Sequence, residues 1–239
     1  MELSKADFKA IGKEDSWKYA ISIYNACEAL RVYRVIVEEI QNVRNQNFRD
    51  LLAGKRERLD FEKNQFPGGN YVLLNGTYIG ADYLIGLEIK SFFQQAANCF
   101  DYLAQLVNCI FMDNPIDAKK VDFSWLHKNE QKINNDDIRA IVSNVYDSVE
   151  YQYITDYSNT TKHNFDMGVA ATVEVATMNV SISIPAFKKE VAQDQIHFYE
   201  KDESLTKMES IHKYVAKIMT SVLDTTIQAV KEKNTNGRA

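Results

Sequence analysis

Ile138-Arg-Ala-Ile-Val-Ser-Asn-Val-Tyr-Asp-Ser-Val-Glu-Tyr-Gln-Tyr-Ile-Thr-Asp-Tyr-Ser-Asn-Thr-Thr-Lys-His163 is the stretch on which the fold turns. Ile138, Ile141, Val142, Val145 and Val149 recur at three- and four-residue intervals. At roughly 100° per residue they share one face of a helix. Extending that face brings up Gln152, Asp156, Asn159 and His163. Read as one helix, the stretch predicts an apolar stripe that turns polar halfway along. Polar groups aimed at a core need partners, because burying them unpaired costs free energy. The polar half is therefore the first place to look for chemistry.

The same periodicity recurs on both sides. Tyr19, Ile23, Ala26, Leu30, Tyr33, Val37 and Ile40 predict a helix over about 16–49, with Ser16 as N-cap. Ile85, Ile89, Phe92, Ala96, Cys99, Leu103 and Leu106 predict a second over about 82–112, stopped by Asn114-Pro115. The third spans about 135–162, capped by Asn134 or Asn135. The last spans about 204–232, capped by Ser204 and followed by a frayed tail from Asn234. Between helices two and three, Phe123, Ser124, Trp125 and Leu126 read as a short helical turn plugging the core.

A repeat of two appears in two places. Residues 71–74 and 77–79 flank Asn75-Gly76, which suits either a two-residue hairpin or an irregular lead-in. A charged run, Lys55-Arg-Glu-Arg58, and a loop signal, Phe66-Pro-Gly-Gly-Asn70, precede it. Val173 and Val175 alternate in one phase, and Met178, Val180, Ile182 and Ile184 in the other, so a turn or bulge falls near Ala176-Thr177. This gives a short hairpin over 170–186, ending at Pro185. Strand is expected only within 70–80 and 168–187. The predicted fold is mainly α: one domain over 1–239, an antiparallel four-helix-type bundle with a short β-hairpin inserted before the last helix.

Composition agrees. With 45% apolar residues in 239, the chain can fill a substantial core, and only 3 Pro and 9 Gly suit long helices. A net charge of −5 argues against a dedicated duplex-DNA binder, which carries a basic footprint. Cys27, Cys99 and Cys109 are odd in number and widely spaced, which argues against a disulfide framework or zinc site and for buried free thiols. The N-terminus lacks a signal pattern, and no apolar run approaches the roughly 18 residues of a membrane helix. A cytoplasmic protein without membrane contact is expected. The sequons at Asn75, Asn159 and Asn179 are then chance matches.

Several polar groupings have ordinary explanations. Lys90, Gln94, Asn98, Asp101, Gln105 and Asn108 lie opposite the apolar stripe of helix two and read as its solvent face. Asp147 and Glu150 find no matching acidic pair on another helix and read as solvated charges, so no metal site is expected. Arg34 and Glu38 suit an i, i+4 ion pair. His127, His197 and His212 have no partner at metal-ligand spacing and read as surface or edge histidines, His197 in a loop.

The run from Asp156 to His163 remains. Helix-end chemistry explains part of it, since Ser, Asn and Thr favour termini and a terminal Lys or His complements the dipole. A functional reading uses the same residues. Asp156 and His163 are two turns apart on one face, with Asn159 between. A carboxylate near an imidazole fixes its tautomer and raises its basicity. An amide and Lys162 can hold an anionic oxygen, and Arg31 or Arg34 on the first helix can add positive charge.

Ser158-Asn-Thr-Thr-Lys-His163, ending a long helix in a helical chain, resembles the motif region of HEPN-like proteins. In that family an Arg is followed by a polar residue, often Asn, then about three residues, then His. Asn159 and His163 match by position, and Ser158 stands where the Arg would be. The resemblance covers helices two to four. It implies a metal-independent ribonuclease, frequently dimeric, of toxin, defence or RNA-processing systems. His163 would be the general base or acid and Asp156 would orient it. Asn159 and Lys162 would contact phosphate, and Arg31 or Arg34 would stand in for the missing Arg. A ribose 2′-hydroxyl would attack the adjacent phosphorus, with no metal or cofactor. RNA or a nucleotide is the expected partner and a homodimer the expected assembly. The alternatives are a non-catalytic partner protein of a bacterial defence or toxin system, in which the polar stripe locks helix packing, and a small-molecule-binding bundle with the hairpin as lid.

Overall fold

In a computed structural model of the chain, the described residues are 4–11, 13–54, 59–61, 64–66, 71–113, 115–163, 168–174, 179–192 and 195–236. The protein is mainly helical. Its α-helices are α1 (Lys5–Ala10), α2 (Trp17–Leu52), α3 (Ala81–Phe111), α4 (Phe123–Lys128), α5 (Asp136–Tyr146), α6 (Val149–His163) and α7 (Ser204–Asn236). Four short strands precede α3: β1 (Leu59–Phe61), β2 (Asn64–Phe66), β3 (Tyr71–Leu74) and β4 (Thr77–Gly80). Five precede α7: β5 (Ala170–Glu174), β6 (Asn179–Ile184), β7 (Phe187–Ala192), β8 (Gln195–Tyr199) and β9 (Asp202–Glu203). Among the described residues no helix is long and apolar enough to cross a membrane. The charged run 55–58, the loop 67–70 and the phase change at 175–178 lie outside the described residues.

The third predicted helix is two helices. α5 ends at Tyr146, and α6 starts at Val149 after the turn Asp147-Ser148. Ser148 causes the break locally. Its Oγ lies 2.7 Å from the Val145 carbonyl oxygen, which it donates to, and accepts from Tyr151 N at 3.2 Å, capping α6 as an N-cap hydroxyl does. Tyr214 Oη lies 2.6 Å from the same hydroxyl. The interruption shifts the helical phase. Val149, expected in the core, is 73% exposed, and the buried residues of α6 are Tyr151, Tyr153, Ile154, Tyr157, Ser158 and Thr161. Asn135 Oδ1 does accept from Ile138 N at 2.9 Å and caps α5 as expected. Ser204 is not the cap it was expected to be; it is the first residue of α7, and its buried hydroxyl has no hydrogen-bond partner among the described residues. Ser16 lies buried in a 3-10 turn, Glu14–Ser16. At α7 the carboxylate of Glu203 accepts from Leu205 N and Thr206 N at 3.2 and 2.6 Å.

The chain divides into two compact units. The first comprises residues 1–30, 94–155 and 211–239, and the second comprises 31–93 and 156–210. The boundaries fall inside α2, α3, α6 and α7.

In the first unit the core is built on α3. Cys99, Leu103, Ala104, Leu106 and Val107 are fully buried, as are Ala26 and Leu30 of α2, Leu126 of α4, Ile138 and Val142 of α5, and Val215 and Val222 of α7. Phe100, Phe123 and Tyr151 meet with ring centroids 4.9 to 5.4 Å apart. No residue of 94–111 is exposed, which corrects the solvent-face reading of the α3 polar stripe. Its Asp101, Gln105 and Asn108 hold the following connection instead. Asn108, fully buried, donates to Ile116 O at 2.9 Å and accepts from Ile116 N at 3.2 Å. Asp101 accepts from Phe123 N. A polar residue on a core helix is tolerated when backbone groups satisfy it. His127, on α4, stacks on Tyr146 at 3.8 Å and pairs with Glu130.

The second unit carries the strands. β3 and β4 form the hairpin read from Asn75-Gly76, with φ of 48° and 78° at the two turn residues, the left-handed pair a type I′ turn requires. β5, β6 and β9 form a small antiparallel sheet with β6 in the middle. Val180, Ile182 and Ile184 of β6 are buried. Asn45 of α2 accepts from Val180 N at 2.9 Å, and Gln41 donates to Val180 O at 3.3 Å. Strand also occurs at 59–66 and 187–203, beyond the expected segments. β1 and β2 have three residues each, too few to show a period. β7 and β8 form a second hairpin after Pro185, with a register shift between Glu190 and Ala192.

Candidate functional site

The side chains that gather around Asp156 come from α6 and the β7–β8 hairpin, all within the second unit. In the hairpin register Phe187 faces Tyr199 and Lys189 faces His197. Directly paired residues of an antiparallel ladder share a face. Phe187, Lys189, His197 and Tyr199 are therefore on one side. Lys188, Glu190, Ile196 and Phe198 are on the other, and all four are exposed.

His197 Nδ1 lies 2.8 Å from Asp156 Oδ2, and Tyr199 Oη donates to the same oxygen at 2.7 Å. Asp156 is 13% exposed at its side chain and His197 28%. Tyr199 stacks on Phe187 at 4.6 Å, Phe187 meets Tyr157 at 5.5 Å, and Tyr157 meets Phe93 at 4.5 Å. This row of rings ties the hairpin end to α6 and to Phe93 of α3. Burial, followed by the hydrogen bond to Asp156 and its charge, raises the Tyr199 phenol above its ordinary range, so it stays a donor at neutral pH. When Nδ1–H donates to Asp156, the free lone pair of His197 is on Nε2, the arrangement that suits an imidazole to proton abstraction. Lys189, half-buried beside it, makes no ion pair with a described carboxylate.

The residues expected to form the site are distributed differently. Asp156 is half-buried on α6, and its described partners are His197 and Tyr199. His163 is the last residue of α6, two turns beyond Asp156 on the same face, and its side chain lies outside the described residues. Asn159 and Lys162 are exposed rather than directed at the core. Arg34 pairs with Glu38 at 3.4 Å, the i, i+4 pair expected, and Arg31 is exposed on α2. The helix break explains the change. Restarting the phase at Val149 moves Asn159 out to solvent and leaves Asp156 at the edge of the buried side.

Sequence reading missed His197, Tyr199 and Lys189. In Gln195-Ile-His-Phe-Tyr199 the alternation is inverted, with Ile196 54% and Phe198 67% exposed while His197 and Tyr199 turn inward. The only available signal was that His and Tyr two residues apart share one face of any strand.

Among the described residues no group of three or more His, Cys, Asp and Glu could hold a metal ion. No family model, curated protein or solved structure matches the chain.

Proposed function

We propose that this chain is an HEPN-like protein that binds RNA or a nucleotide and cleaves an RNA phosphodiester bond without a metal, with His197 as proton acceptor. The observation supporting this is the 2.8 Å contact between His197 Nδ1 and the Asp156 carboxylate. A carboxylate on Nδ1 sets the tautomer and aims Nε2 at the substrate. The imidazole that Asp156 orients is thus that of His197, in place of His163. His197 Nε2 takes the proton of a ribose 2′-hydroxyl, and that oxygen attacks the adjacent phosphorus. The 5′-oxygen leaves and takes its proton from His163. Lys189, with Lys162 and Asn159 from α6, contacts the phosphate oxygens and fills the place expected of Arg31 or Arg34. The same reading takes the long helices as an antiparallel four-helix-type bundle, cytoplasmic and homodimeric.

The test is a single-stranded RNA oligonucleotide compared with the same oligonucleotide carrying one 2′-deoxy position, both in EDTA. Cleavage of the first to 2′,3′-cyclic phosphate ends, with a block at the deoxy position, supports the reading. Absence of both cleavage and RNA binding overturns it.

A second reading, a non-catalytic interaction protein of a defence or toxin system, has its own support. Asp156 Oδ2 takes hydrogen bonds from two β8 side chains at once, as expected of a cluster that fastens a hairpin to a helix. Under that reading His197→Ala lowers Tm and no RNA chemistry exists to lose.

A further inference from the structure

The outer face of the β7–β8 hairpin inverts the usual order of a half-buried sheet. Apolar residues ordinarily take the buried side and polar ones the solvent side. In β8, His197 and Tyr199 turn toward α6, whereas Ile196 and Phe198 are 54% and 67% exposed. The ladder sets two charges beside them. Lys188 faces Phe198 and Glu190 faces Ile196, and directly paired residues share a face. All four are exposed and belong to the second unit. Neither charge has an ion-pair partner among the described residues.

The face is a grid of two rungs, one holding Lys188 and Phe198 and the next holding Glu190 and Ile196. Such a grid is its own complement. A two-fold axis that runs across the strands, in the plane between two facing hairpins, exchanges the rungs. It sets Lys188 against the partner's Glu190 and Phe198 against the partner's Ile196, and each contact occurs twice, as two-fold symmetry requires.

We propose, resting on the homodimeric part of the reading above and not on its RNA chemistry, that this outer hairpin face is where two copies of the chain meet. Facing sheets pack about 10 Å apart, a gap that the Phe198 and Ile196 side chains of two copies fill. Burying these apolar groups drives association, and the crossed charges fix its orientation. The patch is small. Four side chains per copy fall short of the roughly 800 Å² per partner of a standard interface, so the dimer is weak and its population rises with concentration. The mixed charge disfavours an anionic lipid surface, which attracts faces rich in Lys and Arg, because Glu190 offsets Lys188. The Asp156–His197 pair is on the inner side of the hairpin, so the dimer contact does not cover it.

Sedimentation velocity of the full chain over a concentration series reads the association. The parent should pass from monomer to dimer. Lys188→Glu and Glu190→Lys each set like charges opposite one another twice per dimer, and each should weaken association by about tenfold or more. The variant carrying both changes restores opposite charges and should recover most of the affinity. Phe198→Ser should also weaken association. All these positions are exposed, so Tm and the circular-dichroism spectrum should keep their parental values. A dimer indifferent to the single reversals, or a combined variant that stays monomeric, would overturn the proposal. So would a parent that stays monomeric at every concentration, in favour of a lipid surface if anionic vesicles bind it and of another protein if they do not. RNA cleavage is assayed on the same samples. A dimer that obeys the charge swap and cleaves no RNA keeps the interface and removes the RNA reading, whereas a monomer that cleaves RNA removes the interface alone.

Discussion

Lys189 lies directly across the β7–β8 ladder from His197, so its ammonium and the imidazole leave the hairpin on the same side. Asp156 meets His197 from α6 at 2.8 Å, and no described carboxylate pairs with Lys189. A cation beside a carboxylate-oriented imidazole is an arrangement that suits a phosphate oxygen next to the group losing its proton.

Replacing Lys189 by Ala should weaken binding of single-stranded RNA and flatten its salt dependence. Each lost phosphate contact removes about 0.7 from the slope of log K against log salt for a single strand. Fluorescence anisotropy over a salt series reads both quantities. An unchanged slope would remove Lys189 from the site.

His197→Ala should lower RNA cleavage by about 10²–10⁴-fold, the usual contribution of a positioned acid or base. Asp156→Asn should lower it as well, because an amide does not set the imidazole tautomer as a carboxylate does. The two readings of the cluster separate on a paired measurement of rate and Tm. Loss of rate with little change in Tm supports chemistry. A Tm loss matching about 1–3 kcal/mol of unsatisfied hydrogen bonding, in a parent protein with no activity, supports fastening.

Tyr199 makes the cluster sensitive to alkali. Burial, then the hydrogen bond to Asp156, raises its folded-state pKa, so above the ordinary tyrosine value of about 10 the folded chain holds a proton that the unfolded chain releases. Stability is then fully present below about pH 10 and falls as pH climbs beyond it. Tm measured from neutral to strongly alkaline pH should show this decline. Tyr199→Phe should reduce it, leaving the part due to Tyr151, Tyr157 and Tyr214, which burial also raises. An identical profile in the variant would show that Tyr199 does not carry the effect.

How far the sequence revealed this protein depends on the kind of signal. The long helices were legible because Ile85, Ile89, Phe92 and Ala96, or Ile211, Val215 and Val222, repeat at helical spacing over many turns. Asn75-Gly76 was legible because a two-residue turn demands left-handed backbone. The break at Asp147-Ser148 was not. A serine inside a helical pattern costs little, and its capping role depends on Val145 and Tyr214 converging on one hydroxyl. That single missed cap misdirected the polar stripe and hence Asn159. Asp156 was legible as a residue to watch, but its partners were not. His197 and Tyr199 lie some forty residues away, on a strand whose apolar side chains face outward.

Ser148→Ala should therefore cost more than an ordinary surface change. Loss of an N-cap hydroxyl costs about 0.5–2 kcal/mol, and Tyr214 loses its partner too. At this chain length a kcal/mol is worth about 2–4 °C, so a drop of several degrees is expected in a thermal melt. A drop below one degree would show that Ser148 does not set the start of α6.

Asp82→Asn tests a second buried charge. Arg44 is 3% exposed at its side chain and reaches Asp82 at 3.0 Å, whereas Asp82 itself is 42% exposed. Removing the carboxylate strands a buried guanidinium, with an expected loss of about 1–3 kcal/mol. Arg44→Met, which removes the buried charge altogether, should be milder. The reverse ranking in denaturant melts would contradict this account.

The lack of any exposed residue on α3 across 94–111 also bears on how the chain opens. Amides of a helix packed into a core exchange their hydrogens with solvent chiefly when the surrounding structure comes apart, so α3 should mark the slowest-exchanging part of the first unit. The β7–β8 hairpin has two strands, an exposed outer face and a few side-chain ties to Asp156. Its amides can exchange through partial openings that leave that helix undisturbed. Hydrogen exchange would then register a loosening of the candidate site while the global stability recorded at α3 stays constant.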